Sequence, residues 1–188
     1  MKVLLVDDNF QMLEFMDEMI SWEELGLEVI GKCETGMDAL EIARKNTPDI
    51  LITDIDMPKM NGLELIQQMK SLNEHVQSLI ISCHDDFQYA QKAVQLLVSD
   101  YILKETLVPE TFRAAIVKLV DGVKKKKQEK EQVQSLQTIF DRNRESMKKQ
   151  WLKDFLDCED LNERDWKELS RLFHLDFENF NYIQLYVE

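Results

Sequence analysis

Five short apolar runs, each of strand length, alternate with stretches of helical periodicity through residues 1–123, and this alternation confines the fold more than any other feature of the chain. The runs are Val3 to Val6, Val29 to Lys32, Ile50 to Thr53, Leu79 to Ser82 and Tyr101 to Leu103. Most are built of Val, Leu and Ile without polar alternation, the pattern of strands buried on both faces. Between them, Met12, Phe15, Met16, Met19 and Ile20 share one helical face, and Ala39, Leu40, Ile42 and Ala43 another. Gly62 opens a third helix carrying Leu63, Leu65, Ile66 and Met69, while Phe87, Ala90, Ala93, Val94 and Leu97 mark a fourth. A fifth starts near Pro109, whose fixed φ suits a first helical turn, and carries Phe112, Ala115, Ile116, Leu119 and Val120. Repeated βα units of this kind predict an α/β fold, a doubly wound five-stranded parallel sheet covered by helices on both sides.

Past Gly122 the composition changes to Lys124-Lys125-Lys126-Lys127-Gln128-Glu129-Lys130-Glu131, good helix formers with almost no apolar residues. Interleaved glutamates and the lack of aromatic partners make this a solvated helix face rather than a nucleic-acid patch. Val133, Leu136, Phe140 and Met147 then recur at near-heptad spacing, interrupted by Asn143, which reads as a helical linker or short coiled coil, or as an amphipathic helix lying on its own chain. Trp151, Leu152, Phe155 and Leu156 continue that helix, Trp166, Leu169, Leu172 and Phe173 suggest another, and Tyr182 to Val187 alternates as a strand does. The expected layout is a first domain over 1–123, a helical linker over 124–150, and over 151–188 the start of a second α+β domain whose remainder would follow.

In a doubly wound sheet, functional groups collect beyond the carboxyl ends of the strands. Those ends carry, in order, Asp7 and Asp8, then Asp54, then Ser82, then Lys104. Clustered carboxylates repel unless a small divalent cation neutralises them, and magnesium, with manganese as an equivalent occupant, suits an all-oxygen site. A carboxylate nucleophile, a cation and a lysine together can carry phosphoryl transfer through an aspartyl phosphate. Asp54 is the candidate nucleophile, Lys104 its electrostatic partner and Ser82 a hydroxyl donor that could equally cap the next helix. Tyr101 reads as a half-buried strand aromatic, and His84 as an exposed loop residue. The formal charge of −13 excludes nucleic-acid binding by the surface as a whole. Three cysteines, Cys33, Cys83 and Cys158, without CxxC spacing suggest neither a disulfide framework nor a zinc site; Cys33 and Cys158 read as packing residues. No apolar run approaches the roughly 20 residues needed to span a bilayer, and two acids follow the first apolar residues too soon for a signal peptide, so a cytoplasmic protein is expected.

The segments Val6-Asp7-Asp8-Asn9, Asp49 to Gly62, Ile81-Ser82 and Asp100 to Lys104 resemble the receiver domains of bacterial two-component response regulators over about two thirds of the chain. The resemblance implies that Asp54 is phosphorylated by a sensor histidine kinase and that Asp8, Asp54 and the backbone carbonyl of Asp56 hold the metal with help from Asp7. It implies further that Ser82 and Lys104 bind the phosphoryl oxygens, and that Tyr101 reports the state. It also implies homodimerisation, through the face of the fourth helix, fifth strand and fifth helix or through the linker helix. Glu105 stands where the family has a proline, and a cis bond before a non-proline residue is expensive. Cys83 fills a position where small side chains leave room for the phosphoryl group.

The segment His84 to Ala90, the lysine-rich helix and the stretch from Trp151 to Val187 are similar to regulators with a C-terminal AraC-type helix-turn-helix, a DNA-binding output absent from these residues. The implied protein is thus a signalling switch and transcription regulator. Two alternatives from other classes are a stand-alone receiver adaptor docking on a kinase, and an aspartyl-nucleophile phosphatase using Asp56 as the second acid.

Overall fold

The computed structural model describes residues 1–156. The expectations for Cys158, for the segment from Trp166 to Phe173 and for the strand from Tyr182 to Val187 lie outside the described residues, as do the side chains of Met147 and of the segment from Trp151 to Leu156. The chain divides after Gln132 into two units. The first holds β1 (Lys2–Val6), α1 (Phe10–Met19), β2 (Glu28–Cys33), α2 (Gly36–Lys45), β3 (Ile50–Thr53), α3 (Gly62–Leu72), β4 (Gln77–Ser82), α4 (Phe87–Gln95), β5 (Asp100–Leu103) and the first part of α5 (Pro109–Leu156). All strand pairs are parallel, in the order β2-β1-β3-β4-β5.

The alternation of side chains along each strand divides the core in two. Val3, Leu5, Ile50, Ile52, Leu79 and Ile81 face α1 and α5, where they meet Leu13, Met16, Phe112, Ile116 and Leu119. Leu4, Val6, Leu51 and Ile80 face the other way, onto Leu40, Leu63, Ile66, Met69 and Ala93 of α2, α3 and α4. β1, β3 and β4 are buried along almost their whole length, as uninterrupted apolar runs require.

Two helical stripes differ from expectation. On α1 the innermost residues are Leu13 and Met16, while Phe15 is 51% exposed. On α4 only Ala93 is fully buried; Phe87 is 79% exposed and Val94 and Leu97 also face outward. The α4 stripe therefore splits, Ala93 packing inward while Phe87 and Val94 form an apolar outer face.

Helix ends follow local chemistry. Asn61 caps α3 reciprocally with Glu64: its side chain accepts from the Glu64 N–H at 2.9 Å, and Glu64 accepts from the Asn61 N–H. Asp86 caps α4, so the helix cap considered for Ser82 is not Ser82's role. α5 runs unbroken through Gly122, where an added Cβ would lie 2.7 Å from Gln77 Oε1. In the second unit α5 carries Val133, Leu136, Ile139 and Phe140, all exposed. Among the described residues no helix is long and apolar enough to cross a membrane, and no peptide bond is cis, including that before Glu105.

Candidate functional site

The sheet order reverses beside β1, and the crevice at such a switch point is where an open α/β sheet binds its ligands. Asp7 follows β1, its N–H donating to Cys33 O at 3.1 Å, and Asp54 follows β3, its N–H donating to Val6 O at 2.9 Å. These bonds carry the ladder one residue past each strand and fix both acids at one edge. Asp54 Oδ1 accepts from the Ile55 N–H at 2.6 Å, and the Thr53 hydroxyl donates to Asp54 O at 2.8 Å. Gly62 completes the support: an added Cβ would stand 1.9 Å from the Asp54 backbone oxygen, so only glycine lets α3 begin this close to the acid.

Carboxylate oxygens of Asp7, Asp8 and Asp54 lie within 4.8 Å of one another. Lys104, just past β5, places its Nζ 2.8 Å from both Asp54 Oδ2 and Asp7 Oδ2. It is aligned as a hydrogen bond toward Asp54 and forms an ion pair with the buried Asp7 Oδ2. Burial pushes the Asp7 carboxyl above the usual carboxylate range, against the pull of Lys104 and of the Asn9 N–H. Burial acts to lower Lys104, but the bonds and charges of Asp54 and Asp7 outweigh it and hold the ammonium above the ordinary lysine range. A buried acid at Asp7, an exposed one at Asp8 and a third carboxylate at Asp54 supply the all-oxygen donor set that suits a small divalent cation.

The other expected residues are arranged around this core. Ser82 ends β4 in register with Leu103, the residue before Lys104, and its Oγ accepts from the His84 N–H at 3.1 Å. Tyr101 donates its hydroxyl to His84 O at 2.6 Å, and burial raises its pKa. The Asp56 carboxylate contacts His84 Nε2 and is not among the three clustered carboxylates; the metal role implied by resemblance is one for its backbone carbonyl. Sequence reasoning missed this His84 bridge between the two loops, because neither loop has a periodicity that predicts its neighbours. The ring of His84 also lies 5.4 Å from that of Tyr89.

A family model for the response regulator receiver domain matches residues 3–117. The chain belongs to the response regulator receiver family. Over 103 residues this receiver chain is 41% identical to an uncharacterized transcriptional regulatory protein, YesN, of Bacillus subtilis, a match covering 55% of this chain and 28% of that protein. It is 34% identical over 103 residues to the transcriptional regulatory protein HptR of Staphylococcus aureus, covering 55% of this chain and 40% of that one. Among solved structures, the REC domain of AraT, a response regulator from Geobacillus stearothermophilus, aligns with a TM-score of 0.63 at 34% identity, covering 67% of this chain and 97% of that one. A two component transcriptional regulator AraC from Clostridium phytofermentans aligns with a TM-score of 0.60 at 26% identity, covering 69% and 98%. The receiver's relatives are therefore transcriptional regulators, and the matched segment spans well under half the length of the curated ones.

Proposed function

We propose that Asp54 accepts a phosphoryl group from a sensor histidine kinase in a magnesium-dependent reaction, manganese substituting, and that this switches a transcriptional output. The observation that carries the reading is Lys104 poised 2.8 Å from both Asp54 and Asp7 at the mouth of a three-carboxylate cluster. Asp8, Asp54 and the backbone carbonyl of Asp56 would hold the cation, with Asp7 behind them; bound there, it would neutralise the acids and draw charge from the phosphoryl oxygens. One Asp54 carboxylate oxygen attacks phosphorus as the bond from phosphorus to the kinase imidazole breaks, the imidazole keeping the electron pair and gaining a proton from solvent. Lys104 then holds a phosphoryl oxygen, and Ser82 donates its hydroxyl to another. Tyr101, now tied to His84 O, follows Ser82 inward.

The face of α4, β5 and α5, with its apolar Phe87 and Val94, or the helix after Gly122, serves as the dimer contact. Residues 1–123 form the receiver, 124–150 a helical linker and 151–188 the opening of a middle domain, ahead of an AraC-type DNA-binding output. The protein works in the cytoplasm as a phosphoacceptor rather than a turnover enzyme. Incubation with acetyl phosphate and magnesium should add one phosphoryl group by intact mass. No addition with the natural chain, or equal addition to Asp54→Ala, overturns the reading.

A further inference from the structure

α4 is weakly held by its own side chains, since only Ala93 of its nine residues is fully buried. Its C-terminal end closes through two backbone bonds, from the Leu97 N–H to Val94 O and from the Val98 N–H to Ala93 O, both 2.9 Å. This paired closure ordinarily has glycine at the turning residue, because the turn needs a left-handed backbone. Here the residue is Leu97, at φ 52° and 78% exposed, in a conformation that side chains enter reluctantly. The compensating contact comes from α3. Lys70 Nζ reaches across to donate to Leu96 O and, at 3.3 Å, to Leu97 O. Leu96 O caps the helix, where its partial negative charge collects, and Leu97 O follows in the turn, so one ammonium holds both. Burial, with a smaller push from Lys126, lowers the Lys70 pKa, as expected of a lysine that has exchanged water for these carbonyls.

We propose that Lys70 is a clasp that fixes the C-terminal end of α4 from the last turn of α3, and that its release frees α4 to shift over the sheet. The opposite end of α4 starts at Asp86, two residues after the His84 that binds Tyr101, so the helix links the clasp to the rim of the acidic pocket. Its regulatory consequence rests on the phosphoryl reading: a freed α4 reaches the phosphorylated arrangement at lower cost, so labelling quickens.

The test compares backbone amide exchange in the whole chain for the natural protein, Lys70→Met, Lys70→Arg and Lys70→Met with Leu97→Gly. Lys70→Met should speed exchange at Leu97 and Val98 about tenfold while leaving β1 and β3 amides unchanged. Lys70→Arg should keep most of the protection, and Leu97→Gly should restore it in the Met background, since glycine closes the turn unaided. Acetyl phosphate should label Lys70→Met severalfold faster than the natural chain. Unchanged exchange at the two cap amides, exchange accelerated equally throughout the sheet, or faster cap exchange with unaltered labelling would each overturn the proposal. If the natural chain takes no label at all, the phosphoryl reading falls, while the exchange measurements still decide whether Lys70 holds the helix.

Discussion

Asp7 illustrates how a site can be bound to oppose its own fold. Its carboxyl is fully buried, and its pKa is raised by that burial. A carboxyl with a native pKa above its unfolded value weakens the fold when ionised, and the loss is relieved as pH falls through the native value toward the unfolded one near 3.8. In chelated protein at pH 7, Asp7→Asn should therefore raise Tm by about 2–5 °C, and the gain should shrink as the pH approaches 4, as calorimetry at the two pH values would reveal. Lys104 works in the opposite sense, contributing below its ordinary range and losing its value only as pH climbs through its raised native pKa. Lys104→Met leaves two buried carboxylates facing each other and should cost about 1–3 kcal/mol in urea unfolding, while slowing acetyl phosphate labelling by roughly a hundredfold. Gly62→Ala is the steric counterpart. Its methyl would meet the Asp54 carbonyl at 1.9 Å, and about 3 kcal/mol of stability should go with it.

At the scale of elements, Gly122 shows two effects in balance within α5. Alanine there would gain about 1 kcal/mol of helix propensity, yet its Cβ would press on Gln77 Oε1, which already accepts from the Ser99 hydroxyl at 2.9 Å. Gly122→Ala should be close to neutral alone and stabilising by about 1 kcal/mol in a Gln77→Ala background, a non-additivity that a double-mutant cycle reads directly. The strands were legible because burial on both sides admits little but Val, Leu and Ile, so β3 begins and ends where its apolar run does. The pocket acids and Lys104 were legible for a related reason, since a parallel sheet sends every strand end to one edge. The stripes on α1 and α4 were harder to assign. Helical periodicity says which residues share a face but not whether the sheet or solvent lies against it, and on α4 the face holding Phe87 and Val94 turned out to be the outer one. The bridge from His84 to Asp56 and the reach of Lys70 to Leu96 were invisible, because each joins segments with no shared pattern.

Over the whole molecule, the formal charge of −13 and the three-carboxylate cluster predict a fold that divalent cations stabilise. Magnesium at a hundred times its Kd should stabilise the chain by about 2.7 kcal/mol, and Asp54→Asn should abolish most of that shift in a thermal melt with and without the ion. The pocket joins groups that are distant along the chain: Lys104 meets Asp54 across 50 residues, and both need β1 beside β3 and β5 beside β4 before they can converge. Closing loops this long costs chain entropy before any contact rewards it. A chain with β5 undocked thus has its acids but lacks the ammonium that sits between Asp7 and Asp54. The charge balance of the pocket is in this way complete only when the whole sheet is.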